Sequence, residues 1–218
     1  MAKSNTKGTN FLVQGSILAI ASIISRIIGL IYRIPMTAII GDVGNNYYAA
    51  AFDIYNVMLI ISSYSLPLAV SKLVSAKMAK GQFKTAYQVL KGALLFALVS
   101  GTIVAVIVFF GAGFFTKTLL STPNSIFALR VLAPALVIVA VLGVIRGFFQ
   151  GLGTMMPSAV SQIIEQVVNA IVSVWAAYVL YRVGAKTGAV LGDKEHYAAA
   201  YGAAGGTLGT NLGSVAAL

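Results

Sequence analysis

Of the chain's 218 residues, 59 percent are hydrophobic and 9 percent charged, and the mean hydropathy is +0.91. Soluble domains carry about 25 percent charged residues, so a water-soluble fold is excluded and the bilayer is the solvent. The net charge of +10 would serve a nucleic-acid surface only on a soluble domain; no nucleic-acid partner is expected, and the positive charge is read as a topology signal.

The chain opens on a polar stretch with Lys3 and Lys7. The apolar run behind it is longer than a signal-peptide core and has no small-residue cleavage site, so it is expected to remain as a first helix. Apolar segments predict six membrane helices, over 11–40, 47–71, 86–113, 124–149, 157–182 and 197–218. About 20 residues of helix suffice to cross ~30 Å of hydrocarbon. Polar or turn-forming stretches separate them: 41–46, the lysine-rich 72–84, 121–124, 151–157 and 184–196. Lys72, Lys77, Lys80, Lys84 and Lys91 cluster toward one side, with Asp42, Asp193 and Glu195 toward the other. That bias predicts a cytoplasmic N-terminus, second loop and fourth loop. The last apolar segment runs out at Ala217 and Leu218 without a polar flank, as in a truncated chain. The expected fold is all-α: a polytopic membrane protein of about six transmembrane helices occupying 1–218.

Gly143, Gly147 and Gly151 recur at four-residue steps, as do Gly205, Gly209 and Gly213. Small residues at that spacing let helices approach closely in lipid, and ordinary packing is expected of them rather than a dedicated dimerisation face. Tyr47, Tyr48, Tyr178, Tyr181, Tyr197 and Tyr201 fit an interfacial belt. Pro35, Pro67 and Pro134 are expected to bend or break their helices. Without cysteine, and with His196 as the single histidine, the chain offers no disulfide, thiolate nucleophile or histidine cluster; no metal or other cofactor is expected.

The charged residues inside the apolar segments carry the functional signal, because an Arg at the bilayer centre costs about 2.5–3.5 kcal/mol on insertion scales. Arg26 and Arg33 are seven residues apart on the first segment and share a face with Ser22 and Gly29. Asp53 shares a face of the second segment with Asn56 and Ser63. Glu165 lies in a polar stripe of the fifth with Ser158, Gln162, Gln166, Asn169 and Ser173. Arg–acid pairs that merely hold helices together are one reading of these residues. A solvated cavity is preferred, since burying several charges is a poor route to stability. Guanidinium groups match phosphate oxygens bidentately, so two of them on a cavity wall suit a diphosphate. Intramembrane acids suit a coupling proton or cation. Arg130 and Arg146, toward opposite ends of the fourth segment, are expected to snorkel to headgroups.

Several motifs point to a family. Ser25-Arg26-Ile27-Ile28-Gly29, continued by Tyr32-Arg33-Ile34-Pro35 and Ile40-Gly41-Asp42, resembles the first-helix signature of the MurJ and stage V sporulation protein B group of flippases. Asp53-Ile54-Tyr55-Asn56, Leu66-Pro67-Leu68-Ala69-Val70-Ser71-Lys72 and Arg146-Gly147-Phe148-Phe149-Gln150-Gly151 extend the resemblance over the whole chain. It implies one six-helix lobe of a two-lobe transporter, with the second lobe absent and access to a central cavity alternating across the bacterial plasma membrane. It also implies that Arg26 binds the pyrophosphate of a lipid-linked oligosaccharide; at Arg33 some relatives carry an acid, with the basic residue at the position of Tyr32. The expected activity is therefore non-enzymatic: translocation of an undecaprenyl-pyrophosphate-linked wall precursor, lipid II in the first instance. The substrate-binding set expected is Arg26, Arg33, Asp53, Asn56, Gln162, Glu165 and Asn169. A cation-coupled multidrug exporter would favour acids over arginines in the cavity, and a structural scaffold would need neither.

Overall fold

The computed structural model describes the backbone of residues 3–218 and side chains from Val13 onward; those of Lys3 and Lys7 lie outside the described residues. The described chain is built of helices: α1 (Lys3–Ser62), α2 (Leu66–Ala79), α3 (Phe83–Phe114), a π-helical turn (Phe115–Leu119), a 3-10 turn (Pro123–Ser125), α4 (Ile126–Gly151), α5 (Met156–Leu191) and α6 (Lys194–Ala217).

A straight helix of α1's length would reach about 90 Å, three times the hydrocarbon thickness. Gly41 prevents this. Its φ of 68° and ψ of −177° are non-helical, in a region open to glycine because it has no Cβ. The Tyr32 and Tyr48 hydroxyls approach to 3.5 Å, whereas residues 16 apart on a straight helix are separated by about 24 Å. α1 is thus two antiparallel passes, 3–40 and 42–62. The second pass is interrupted at 63–65 and continues as α2. There Pro67 has no N–H to give, and the carbonyl of Ser63 accepts instead from the N–H of Leu66 at 3.1 Å. The N–H groups of Ser63 and Tyr64 both reach back to the Leu59 carbonyl, at 3.0 and 3.2 Å.

Among the described residues, four stretches are long and apolar enough to cross a membrane: Val13–Ala79, Phe83–Leu119, Pro123–Gly151 and Met156–Leu191. The first holds both passes of α1 with α2. α6 falls outside this set because glycine, alanine, serine and threonine dominate it, yet it forms the most extensive helix pairing in the molecule, with α5. A Cβ on Gly205 would collide with the backbone of Ala176, one on Gly209 with the Ser173 hydroxyl and with Asn169, and one on Gly213 with the Glu165 carbonyl. The other glycine stripe is used likewise: Gly147 lies against the backbone of Pro67, and Gly151 against Ser71 and Val74. Both stripes are consumed by packing within the chain.

α4 runs through the middle, with Leu129, Leu132 and Leu136 fully buried against a core that includes Met36 of α1 and Val108 of α3. Pro134 removes a backbone donor from α4. One residue past the carbonyl that loses this donor, Asn211 of α6 ties the two helices together, its Nδ2 donating to the Val131 carbonyl at 2.7 Å. The outer faces are apolar and exposed, as at Leu30, Ile34 and Phe110, which suits lipid as the surrounding medium.

Three expectations are corrected. The lysine-rich stretch 72–84 is not a loop: α2 runs to Ala79, α3 starts at Phe83, and only 80–82 turn. The polar stretch 184–196 is helical as far as Leu191. Hydropathy marks where a segment leaves the hydrocarbon, not where its backbone hydrogen bonding ends. Tyr47 and Tyr48, expected in an interfacial belt, are buried in the protein core at 8 and 5 percent exposure. Tyr48 packs on Phe52, with ring centroids 4.6 Å apart.

Candidate functional site

The polar side chains on the passes of α1 and on α5 converge on two neighbouring hollows. The first, of about 300 Å³, is lined by Ser22, Ser25 and Arg26 of α1, Arg146 of α4, and Gln162, Glu165 and Gln166 of α5. The second, of about 330 Å³, is lined on one pass of α1 by Gly29, Tyr32 and Arg33, and on the other by Tyr48, Phe52, Asp53 and Asn56. Gly29 is the seam between them: a Cβ there would stand 3.9 Å from the Gln166 amide oxygen. A 3.6-residue period explains the division, since Ser22, Arg26, Gly29 and Arg33 follow one face of the first pass.

Arg26, Arg33, Asp53 and Asn56 are exposed. Neither arginine has an ion-pair partner among the described residues. The Arg33 guanidinium stands 6.0 Å from the centre of the Tyr48 ring, a cation–π arrangement that leaves its N–H donors available. Ser22 Oγ donates to Gln162 Oε1 at 3.3 Å, and the Met155 N–H donates to Gln14 Oε1 at 2.8 Å, which fixes the first pass of α1 against α5. The Ser25 hydroxyl oxygen is buried at the wall of the first hollow without a hydrogen-bond partner.

Arg146 departs most from expectation. It does not snorkel to headgroups. It turns inward to Glu165, Nη2 to Oε2 at 2.7 Å, with both side chains less than a fifth exposed. Its Nε and Nη2 also donate to Ser161 Oγ, at 3.0 and 2.8 Å, and the second Glu165 oxygen accepts from Ser214 Oγ of α6 at 3.2 Å. Glu165 therefore neutralises Arg146 rather than Arg26 or Arg33. A snorkelling arginine needs a free path to water, and the polar stripe of α5 gave this one a nearer partner. Arg130, by contrast, is exposed, with its guanidinium 5.7 Å from the centre of the Phe109 ring.

Of the sequence-predicted site residues, Arg26, Gln162 and Glu165 meet at the first hollow, and Arg33, Asp53 and Asn56 at the second. Asn169 lines neither. It is buried between α5 and α6, where Oδ1 accepts from Ser173 Oγ at 2.9 Å and Nδ2 donates to the Tyr32 hydroxyl at 3.5 Å. Sequence reasoning missed Arg146, Tyr48 and Phe52 as lining residues. The available signal for Arg146 was the four-residue spacing of Ser161 and Glu165 on α5, which puts two acceptors on one face.

Helical passes with lipid-suited outer faces and a polar, cation-lined inner face define a multi-pass membrane protein. The chain belongs to the family described as polysaccharide biosynthesis protein, which matches residues 11–194, and within it to the group of MurJ and stage V sporulation protein B. Over 181 residues it is 31 percent identical to the lipid II flippase MurJ of Bacillus subtilis (strain 168), covering 79 percent of this chain and 33 percent of the relative. Stage V sporulation protein B of the same organism is 29 percent identical over 153 residues, 70 percent of this chain and 30 percent of the relative. The membrane protein YabM, also from that organism and described as uncharacterized, is 28 percent identical over 179 residues, 81 percent of this chain and 32 percent of the relative. The chain thus spans about a third of the length of these curated relatives. No solved structure matches it.

Proposed function

We propose that the chain forms the first six-helix lobe of a flippase that carries an undecaprenyl-pyrophosphate-linked wall precursor, lipid II in the first instance, across the bacterial plasma membrane. The observation that carries this reading is the pair Arg26 and Arg33, about 10 Å apart along one helix face, each lining a polar hollow without an ion-pair partner among the described residues. Unpaired guanidinium groups at membrane depth are costly unless water or an anion meets them, and phosphate is the anion that their planar fork fits best.

In this reading Arg26 takes the pyrophosphate and Arg33 supports it from the adjoining hollow. Asp53, Asn56 and the Tyr48–Phe52 aromatic wall offer hydroxyl acceptors, an amide and an apolar face to the attached sugar, and Gln162 offers a further amide. The polyprenyl tail stays in lipid. A second lobe completes the cavity, and the two lobes alternate its access between leaflets. A proton or cation couples through the carboxylates, and a membrane potential of 100 mV contributes about 2.3 kcal/mol per charge moved. The N-terminus and the turn at 80–82 are cytoplasmic, on the grounds of the lysines of α2 and α3.

The test is translocation of fluorescent lipid II in vesicles containing the protein at the length its gene encodes. Arg26→Ala is expected to fold as the parent does and to lose tenfold or more of the rate. Transport at the parental rate by that variant would refute the binding role. Export of organic cations by a parent that moves no lipid-linked sugar would establish the exporter reading instead.

A further inference from the structure

The first hollow contains two guanidinium groups and one carboxylate, and in the structure that carboxylate holds one of the guanidiniums. We propose that Glu165 is a built-in counter-ion displaced by the anionic headgroup: the phosphates take both Arg26 and Arg146 while Glu165 takes up a proton. The inference rests on the reading that this hollow receives a pyrophosphate.

Three observations carry it. The Arg146–Glu165 contact is one-armed, with a single guanidinium nitrogen on a single carboxylate oxygen, so it leaves donors of Arg146 to face the hollow that both residues line. The other Glu165 oxygen rests on the Ser214 hydroxyl, a place for the carboxyl to stay once Arg146 lets go. The unpartnered Ser25 hydroxyl is in the same wall, a further polar group without a ligand.

Charge then decides the direction. A pyrophosphate diester brings two negative charges, and Arg26 alone answers one. With Arg146 recruited the cations balance the phosphates, and an ionised Glu165 becomes the surplus anion beside them. Like charge disfavours ionisation, so the carboxylate accepts a proton from water as the phosphates bind. It returns that proton when they leave and closes again on Arg146. The charged or titratable groups facing Glu165 are Arg146 from α4, Arg26 from the first pass of α1 and the Tyr55 phenol from its second pass; α6 presents Ser214. Because the bound state holds the proton, binding strengthens as pH falls.

The experiment titrates the purified full-length protein between pH 6.5 and 8.5 with a farnesyl pyrophosphoryl sugar, a diester whose two charges do not titrate in this range, and with dimethyl pyrophosphate as the lipid-free parallel arm. The parent is expected to lose affinity with rising pH more steeply than Glu165→Gln, by up to tenfold per unit. Glu165→Gln, which keeps hydrogen-bonding capacity toward Arg146 and Ser214, should bind more tightly than the parent at pH 8.5. Arg146→Gln should weaken binding at both ends of the range. Calorimetry of the parent at pH 8.0 in two buffers of different ionisation enthalpy should register an uptake near one proton, a readout that needs no variant. No proton uptake, or a pH slope in Glu165→Gln equal to the parent's, would overturn the counter-ion role while leaving the pyrophosphate reading intact. Parental affinity in Arg26→Ala would remove that reading and this inference together. Equal affinity for the two probes would assign the hollow to a free anion and overturn the lipid-headgroup form of the proposal.

Discussion

At the scale of single residues, the inner end of α4 depends on a small polar cluster in which every member has a partner: Arg146, Ser161, Glu165 and Ser214. Removing one partner from a fully buried ion pair strands the other charge at a cost of about 3–5 kcal/mol, and the partly buried Arg146–Glu165 pair, open to the hollow on one side, should lose a smaller but measurable share of that. Arg146→Ala is therefore expected to lower the melting temperature in detergent more than Arg26→Ala, whose side chain has no ion pair to break among the described residues. Equal shifts for the two variants would contradict the pairing. Asn211→Leu removes the hydrogen bond to the Val131 carbonyl and should cost about 0.5–1.5 kcal/mol in the same assay. The grouping of Arg26 with Arg33 was legible in the sequence because both lie on one helix, where spacing alone determines the face. The pairing of Arg146 with Glu165 was not, because it depends on the register between two helices, and no periodicity within either one encodes that. Tyr48 misled for a related reason: an aromatic residue beside a turn reads as interfacial until a second helix closes over it.

At the scale of elements, the four-residue glycine steps were legible as close-packing stripes, while their partners were not. The stripe of α4 accepts α2 and the stripe of α6 accepts α5, pairings set by the order in which the passes fold back. Gly209→Val is expected to abolish the folded protein, since its Cβ position is already occupied by Ser173 and Asn169 of α5; the check is recovery of monodisperse protein after extraction. The same substitution at Gly92, which has open space around its Cβ position, should be recovered normally. Helix ends were the least legible feature. α2 carries Lys72 and Lys77 in unbroken helix, because lysine and alanine are good helix formers in water as well as in lipid. The interruption at 63–65 also escaped the hydropathy pattern, which registers composition and is blind to a missing N–H.

At the scale of the whole molecule, the fold class followed from composition, and the direction of each pass follows once the hairpin at Gly41 is recognised. The absence of cysteine makes orientation straightforward to test. Lys80→Cys, in the turn after α2, and Lys194→Cys, at the start of α6, each introduce one exposed thiol into this cysteine-free stretch, and the two are expected on opposite sides of the membrane. A membrane-impermeant maleimide added to intact cells is expected to label the second and spare the first, and the reverse pattern would invert the topology. The exposed face bearing Arg26, Arg33, Asp53 and Asn56 cannot lie against acyl chains at acceptable cost. Water or further protein must cover it, a physical requirement that does not depend on any relative.

The small-residue surface that lets α6 nest against α5 also makes it a poor substrate for the machinery that inserts membrane segments. A translocon sorts each helix by its own free energy of partitioning, and α6 gives up apolar bulk for close contact. Its entry into the bilayer should await α5, the two passing laterally as a preassembled hairpin. In a glycosylation-mapping reporter, α6 alone is expected to insert inefficiently, and α5 with α6 efficiently. The feature that tightens the pairing of α5 with α6 is thereby expected also to set the order in which these two helices become membrane-resident.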